Sequence, residues 1–455
     1  MRTIFIAGVV LAATAGAALA QGVAGQPTLA SPPAVPAKPP AAAKSPQPAV
    51  KPPQPPKAMT TPEQRSAAAL ALSADPVFDE DTFQRIKEAL LFYSDIQVRG
   101  GWPILPADAK LAPGASGPDV ALLRRRLVIS DDMPANQEAG DGYDAAVAEG
   151  VKRFQLRHGL DVTGSVGPQT LHALNVPVGP RIKQLEASLD RLLGMDFVFA
   201  ERYVVVNIPA AFVEAVGNGK VERRYRVIVG KIDKPSPTLT ASITAIDLNP
   251  TWTVPLSITK TEIAAHMRKD PSYLARMHMR LLGARDEEIS PSSVDWSGDR
   301  SFNFTVRQDA GTWNALGNLK IDMPNPYSVY MHDTDTRKLF ADDYRFDSHG
   351  CTRVDNVRDL AAWILQDVPG WNRAAIDAGI AAGQTKVVNL PHKMPVAWVY
   401  LTGWVTRDGT IEFRDDVYKH DETLDRDALA QAVNAGGFVQ PAPTQPLKRV
   451  SIDTR

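Results

Sequence analysis

One stretch decides the reading: His332-Asp333-Thr334, twelve residues, then Asp347-Ser348-His349-Gly350-Cys351-Thr352-Arg353-Val354. Cys351 is the only cysteine in a chain of 455 residues. The thiolate rather than the thiol is the nucleophile, and a neighbouring imidazole can generate it by taking the proton. His349 and His332 are the two imidazoles at hand. Gly350 permits a tight turn that brings backbone N–H groups close to a reacting carbonyl, as an oxyanion hole requires. A cysteine is commonly just a small core residue, but Ser348, His349, Gly350, Thr352 and Arg353 make a poor core strand. Zinc is the other use for such a set, with a carboxylate from Asp333, Asp335, Asp342, Asp343 or Asp347. A thiolate–imidazole pair with no second cysteine fits nucleophilic chemistry better, so no metal or other cofactor is expected.

The rest of the composition narrows the class. Hydrophobic residues make up 44% of the chain, ample for a sizeable core. Its 50 basic and 51 acidic side chains leave a formal charge of −1, without the basic excess of a nucleic-acid binder. Residues 1–20 read as a secretory signal: Arg2, an apolar run from Ile4 to Ala18, then the small-residue site Ala18-Leu19-Ala20. No other stretch is apolar for long enough to cross a bilayer, so no stable membrane insertion is expected after cleavage. Exported proteins usually pair their cysteines, so a single one suggests a thiol kept for reactivity.

In chain order, residues 21–62 are rich in Pro and Ala and read as an extended linker. Residues 63–113 read as a helical scaffold. Thr61-Pro62-Glu63 is a helix start, and Phe83, Ile86, Leu90 and Tyr93 recur at helical spacing before Gly100-Gly101-Trp102-Pro103 breaks the run. Residues 114–176 read as three short helices carrying Val120, Leu123 and Leu127, then Val147, Val151 and Phe154, then Leu171 and Leu174. A connecting helix follows within 177–198, from Arg181 to Leu193.

The period then changes to two. Arg202–Ile208, Ala211–Val216, Val221–Val229 and Ser242–Leu248 read as strands, the middle pair joined by Gly217-Asn218-Gly219-Lys220, a hairpin signal. Residues 256–300 interrupt them with a helical, charged insertion. Strands resume over Val306–Gly317 and Tyr327–His332, with a helix expected at about Val357–Leu365. A last hairpin is expected from Trp398–Thr406 to Thr410–Phe413, and residues 421–455 form a tail of unreadable role.

Ser348-His349-Gly350-Cys351-Thr352-Arg353, preceded by Tyr330-Met331-His332-Asp333, resembles the signature of L,D-transpeptidases of the YkuD-type family. Residues 114–176 resemble the peptidoglycan-binding domain 1 family through Asp141-Gly142-Tyr143-Asp144, Val151-Lys152-Arg153-Phe154-Gln155 and Thr163-Gly164-Ser165-Val166-Gly167-Pro168. The resemblance implies a multidomain α+β protein: a mostly β catalytic domain over 199–420 with a helical insertion, a three-helix peptidoglycan-binding module and a helical scaffold. It implies a periplasmic enzyme whose partners are peptidoglycan stem peptides and glycan. By the same resemblance Cys351 is the nucleophile and His332 its base. Asp333, through its side chain or its backbone carbonyl, orients that base, and His349 with the Gly350 and Cys351 amides meets the oxyanion. Arg353, Ser348, Tyr330 and Thr352 are expected to touch substrate. The insertion at 256–300 is expected to act as a lid. A hydrolase cleaving stem peptides or protein–peptidoglycan links on the same scaffold is the alternative.

Overall fold

A computed structural model describes residues 61–297 and 303–423. The expected signal segment, the linker before Thr61 and the tail beyond Thr423 lie outside the described residues. Helices α1 (Pro62–Leu70) and α2 (Thr82–Val98) come first. The three-helix module follows as α3 (Pro118–Ile129), α4 (Ala145–Arg157) and α5 (Pro168–Leu174), and α6 (Val178–Leu193) leads out of it. The Thr61 side chain caps α1 while Gln64 reaches back to the Thr61 N–H, a reciprocal pair that fixes the helix start. Val120, Leu123, Leu127, Val147, Val151 and Phe154 form the module's own core, as their spacing predicts. No helix among the described residues is long and apolar enough to cross a membrane.

The C-terminal half is built on one large sheet. Its strands are β1 (Arg202–Asn207), β2 (Phe212–Gly217), β3 (Lys220–Gly230) and β4 (Leu239–Leu248). Asn218 and Gly219 take φ of 51° and 71° between β2 and β3, the left-handed pair that a tight hairpin needs. The insertion follows with β5 (Trp252–Thr253), α7 (Leu256–Ile258), α8 (Ala264–Lys269), α9 (Tyr273–Arg276), β6 (Met279–Leu282), β7 (Glu288–Ile289) and β8 (Thr305–Gln308). The main sheet resumes as β9 (Leu319–Asp322), β10 (Met331–His332), β11 (Phe346–Ser348) and β12 (Thr352–Val354). Helices α10 (Val357–Ile364) and α11 (Arg373–Ala381), the long strand β13 (Lys386–Val399) and the hairpin β14 (Gly403–Val405) and β15 (Ile411–Phe413) complete the described elements.

The strand order is β11-β3-β12-β10-β9-β4-β13-β1-β2, and β2 pairs again with β3, so the ladder returns on itself. One face of the sheet packs on α10 through Val357, Leu360, Ala361 and Ile364. On β1, Val204 and Val206 join that core, while Tyr203 and Val205 turn the other way to meet α2 and α6. A strand buried on both faces explains the unbroken apolar run in its sequence.

Four expectations are corrected. The insertion has helices but also its own four-stranded sheet, order β5-β8-β6-β7, over a separate core that includes Ile263, Met267, Leu281 and Trp296. Val306 therefore belongs to the insertion and not to the main sheet. The strand expected from Tyr327 begins only at Met331, because Asn325 Nδ2 donates to Met323 O and Val329 O (2.6 and 2.7 Å) and winds the approach into a turn. Trp398 and Val399 end β13 at the centre of the sheet, and the short hairpin after them packs on the scaffold through Trp404, Val405 and Phe413.

The scaffold grips the sheet behind the signature. Arg65 of α1 donates from Nε and Nη2 to both carboxylate oxygens of Asp355, at 2.5 and 2.8 Å, in a buried pair just past the end of β12. Breaking a buried pair strands the remaining charge and typically costs about 3–5 kcal/mol. Arg65→Met is therefore expected to lower unfolding free energy by roughly that amount in urea titration, whereas the exposed Arg99–Asp95 pair should contribute little.

Candidate active site

Register builds the site. The parallel pairing of β10 with β12 sets Met331 opposite Thr352 and His332 opposite Arg353. Antiparallel β9 sets Ile321 opposite Met331 and Lys320 opposite His332, and β4 sets Asp247 opposite Lys320. Side chains alternate between faces along a strand. Met331, Ile321, Ile246 and Val354 therefore face the core. Tyr330, His332, Cys351 and Arg353 share the opposite face with Lys320, Asp322 and Asp247.

His332 is buried, and its Nδ1 lies 2.5 Å from the backbone carbonyl of Asp333. A carbonyl only accepts, so Nδ1 carries the proton and Nε2 keeps its lone pair. Burial, then the positive charges of Arg353 and Lys320, push the imidazole down to about 3, so it is neutral at rest. The Asp333 carboxylate plays a different part. It accepts from Arg337 Nη2 (2.7 and 2.9 Å) and from the Asn318 N–H (3.1 Å). A Cβ at Gly317 would fall 2.6 Å from that carboxyl group, so the loop closes this tightly only over glycine. Of the two ways Asp333 was expected to orient the imidazole, the backbone carbonyl is the one that touches it.

Cys351 is a half-buried free thiol. Burial pushes it up to about 11, opposed by the backbone N–H and the hydroxyl of Tyr330 and by the charges of Lys320 and Arg353. The Tyr330 hydroxyl also meets Trp252, at the start of the insertion, and its ring stands edge-on to His332 with centroids 5.7 Å apart.

The loop before the thiol is held from within. Ser348 Oγ donates to the Cys351 carbonyl (2.5 Å) and accepts from the Gly350 N–H (3.2 Å). Gly350 has φ of 110°, closed to most side chains, and its carbonyl accepts from Ser236 Oγ at 2.7 Å. With the Gly350 N–H occupied, the Cys351 amide is the backbone donor left without a partner among the described residues.

Two of the residues expected to touch substrate are corrected. Thr352 is wholly buried on the core face, since alternation turns it away from Cys351. Ser348 is also buried, with its hydroxyl committed to the loop. His349 is exposed, and its Nε2 lies 2.6 Å from Glu262 of the insertion. Burial raises the Glu262 carboxyl, but Lys234 at 3.0 Å and His349 outweigh it and hold the group below its ordinary value. Sequence reading missed Lys320, Trp252, Ser236 and Glu262. Only the first left a signal, the alternation Leu319-Lys320-Ile321-Asp322. His266 stacks on Tyr273 and His278 on Trp313, with centroids 4.4 and 3.9 Å apart. Among the described residues no three His, Cys, Asp or Glu side chains converge as a metal site needs.

Residues 201–388 match the family model described as the L,D-transpeptidase catalytic domain, and residues 116–174 match "Putative peptidoglycan binding domain". A Haemophilus influenzae protein named "Putative L,D-transpeptidase" is 31% identical over 222 residues, 49% of this chain. The match spans 45% of that relative's length, so under half of it is represented here. Solved structures include an L,D-transpeptidase from Xylanimonas cellulosilytica (16% identity, 64% of this chain and 98% of that one, TM-score 0.20). Another comes from Stackebrandtia nassauensis (11% identity, 65% and 97%, TM-score 0.24). Scores that low leave the fold to be argued from the chain itself.

The two shifts fix how the thiol responds to pH. Folded His332 takes its proton near 3 against 6.5 ordinarily, so the unfolded chain binds more protons between those values. Its contribution to stability is therefore lost as pH falls from 6.5 towards 3. Folded Cys351 keeps its proton to about 11 against 9.0, so its contribution is lost as pH rises above 9. A neutral couple predicts that iodoacetamide alkylation of Cys351 climbs steadily with pH through the alkaline range. A plateau near neutrality, the mark of a preformed thiolate–imidazolium pair, is the outcome that contradicts it.

Proposed function

We propose, from the match of residues 201–388 to the L,D-transpeptidase catalytic domain model and of residues 116–174 to a peptidoglycan-binding model, that the chain is a cysteine-dependent L,D-transpeptidase that cross-links peptidoglycan. The donor is a stem tetrapeptide ending in a diamino acid and D-Ala. His332 Nε2 takes the Cys351 proton as sulfur attacks the carbonyl at the diamino acid's L-centre. The tetrahedral oxyanion forms against the Cys351 amide, where a donor strengthens as charge develops. As the C–N bond breaks, the imidazole returns its proton to the departing D-Ala amine, leaving a thioester. The amine of a second stem then replaces sulfur.

The observation that carries this reading is the shared face of His332 and Cys351, with Nδ1–H donated to a carbonyl so that Nε2 is the basic nitrogen. Arg353 lies on that face and makes no ion pair among the described residues, so its planar guanidinium suits the carboxylate of the leaving D-Ala. His349 shapes the loop through Glu262 rather than meeting the oxyanion. Peptidoglycan as substrate implies action outside the cytoplasm, in the periplasm if the N-terminal segment is an export signal.

The assignment is tested on the single thiol. Wild-type protein is expected to form one covalent adduct with a carbapenem by intact mass, and Cys351→Ala none while remaining folded. An adduct on the variant would move the nucleophile elsewhere.

The insertion is proposed to act as a lid, since it reaches the catalytic loop through Glu262 and Tyr330 through Trp252. Long insertions in compact domains are commonly functional loops, and excluding water favours an amine over hydrolysis of the thioester. Glu262→Ala severs both the His349 and Lys234 contacts. It is expected to raise the ratio of hydrolysed tripeptide to cross-linked dimer several-fold in muropeptide mass spectra. An unchanged ratio in folded protein removes the lid role.

A further inference from the structure

The acylation steps above leave one end of the charged face unused. Across the strands it forms two rows. One pairs Ala245 with Asp322 and continues, one residue before the paired positions of β10 and β12, to Tyr330 and Cys351, whose side chains hydrogen-bond, and the other runs Asp247, Lys320, His332, Arg353. Neighbouring strands lie about 4.8 Å apart, so Asp322 stands two strands, roughly 10 Å at backbone level, from the nucleophile along its own row. An amine on a long, flexible aliphatic side chain can reach either point by swinging between them.

This end already holds an ammonium. Lys320 Nζ lies 2.9 Å from Asp322 Oδ1 and 3.4 Å from Asp247 Oδ2, and 5.0 Å from the centre of the Tyr330 ring. Two carboxylates and the electron-rich face of an aromatic ring are the surroundings that recognise a primary ammonium. One lysine against two aspartates leaves this end with an excess negative charge, while Arg353 makes the other end positive. The three members are not equally open: the Asp322 side chain is 37% exposed, against 20% for Lys320 and 15% for Asp247. Asp322 is the member with room for a second cation.

Building on the transpeptidase reading, we propose that Asp322 is the acceptor-specificity residue: it captures the side-chain ammonium of the second stem, and loss of a proton to water releases the neutral amine to swing to the Cys351 thioester. The donor carboxylate goes to the Arg353 end, drawn by the guanidinium and without any part played by Asp322. By this stage His332 has given its proton to D-Ala and is again a neutral base. The acceptor amine loses a proton to Nε2, the new C–N bond forms and the C–S bond breaks. Of the three ammonium protons, one stays in the amide, one returns to sulfur through His332 and one goes to water. Water as the competing nucleophile carries no charge, so Asp322 distinguishes transfer from hydrolysis.

The experiment uses the full chain, a tetrapeptide donor and, as acceptor, a stem peptide with a free side-chain amine or the same peptide acetylated there. Asp322→Asn is expected to raise the acceptor KM tenfold or more, while the rate of Cys351 acylation by intact mass and the rate of donor hydrolysis stay within twofold of wild type. Asp322→Glu is expected to recover transfer. An unchanged acceptor KM in Asp322→Asn overturns the assignment. So does a parallel fall in acylation and transfer that Asp322→Glu does not recover, which marks a purely structural carboxylate. If the wild type forms no acyl-enzyme at all, the transpeptidase reading fails instead, so the two failures are distinguishable.

Discussion

The pairing of β10 with β12 is the constraint on which the site depends. Side chains alternate with period two, so a slip of one residue would bury Cys351 and turn Thr352 to the surface. Such short strands carry few ladder bonds, and the register is secured from outside. The Thr352 N–H donates to Tyr330 O at 3.0 Å, Met331 and Val354 are locked into the core, and Arg65 clasps Asp355 just past β12. On the β10 side, Arg337 and Asn318 clasp Asp333. A helix far away in sequence thus helps to decide which side of a strand the thiol faces.

The same burial that secures the register keeps the couple neutral. A thiol shifted to about 11 and an imidazole shifted to about 3 cannot exchange a proton to any useful extent at rest. In the proposed reaction the transfer must accompany attack on the carbonyl. On the same proposal, a substrate carboxylate docked on Arg353 would cancel one of the charges that hold His332 down. A protonated thiol is also the form less open to oxidation. The arrangement keeps reactivity low until a substrate is bound.

Much of this was legible in the sequence where local pattern decides the outcome. Helical spacing gave the module core from Val120 to Phe154, Asn218-Gly219 gave the hairpin, and the lone Cys351 with its nearby histidines pointed to the candidate site. What failed were features set by long-range pairing. Nothing local says that Trp398 ends a central strand paired with β1, or that Val306 joins a small sheet inside the insertion. Thr352 follows Cys351 directly, and adjacency on a strand means opposite faces, while Ser348 at the end of β11 spends its hydroxyl on Cys351 O and the Gly350 N–H. Glu262 carries no motif, and only folding brings it to His349 across 87 positions.

The module that resembles peptidoglycan-binding domains is not held by a linker alone. Arg157 at the end of α4 donates to Ile411 O of the hairpin at 3.2 Å, and Arg414 donates back to Arg157 O at 3.0 Å. Arg157 itself forms a buried pair with Asp132, its Nε and Nη2 each 2.6 Å from a carboxylate oxygen. Charges taken out of water this thoroughly are costly unless their geometry is fixed, so the contact resists sliding. The hairpin in turn packs on α2 and α6, which cover the back of β1. Glycan held by the module would therefore present its stems at a fixed offset from Cys351. On the proposed function, the search for a donor would then be one of orientation over a short distance rather than diffusion of a tethered domain.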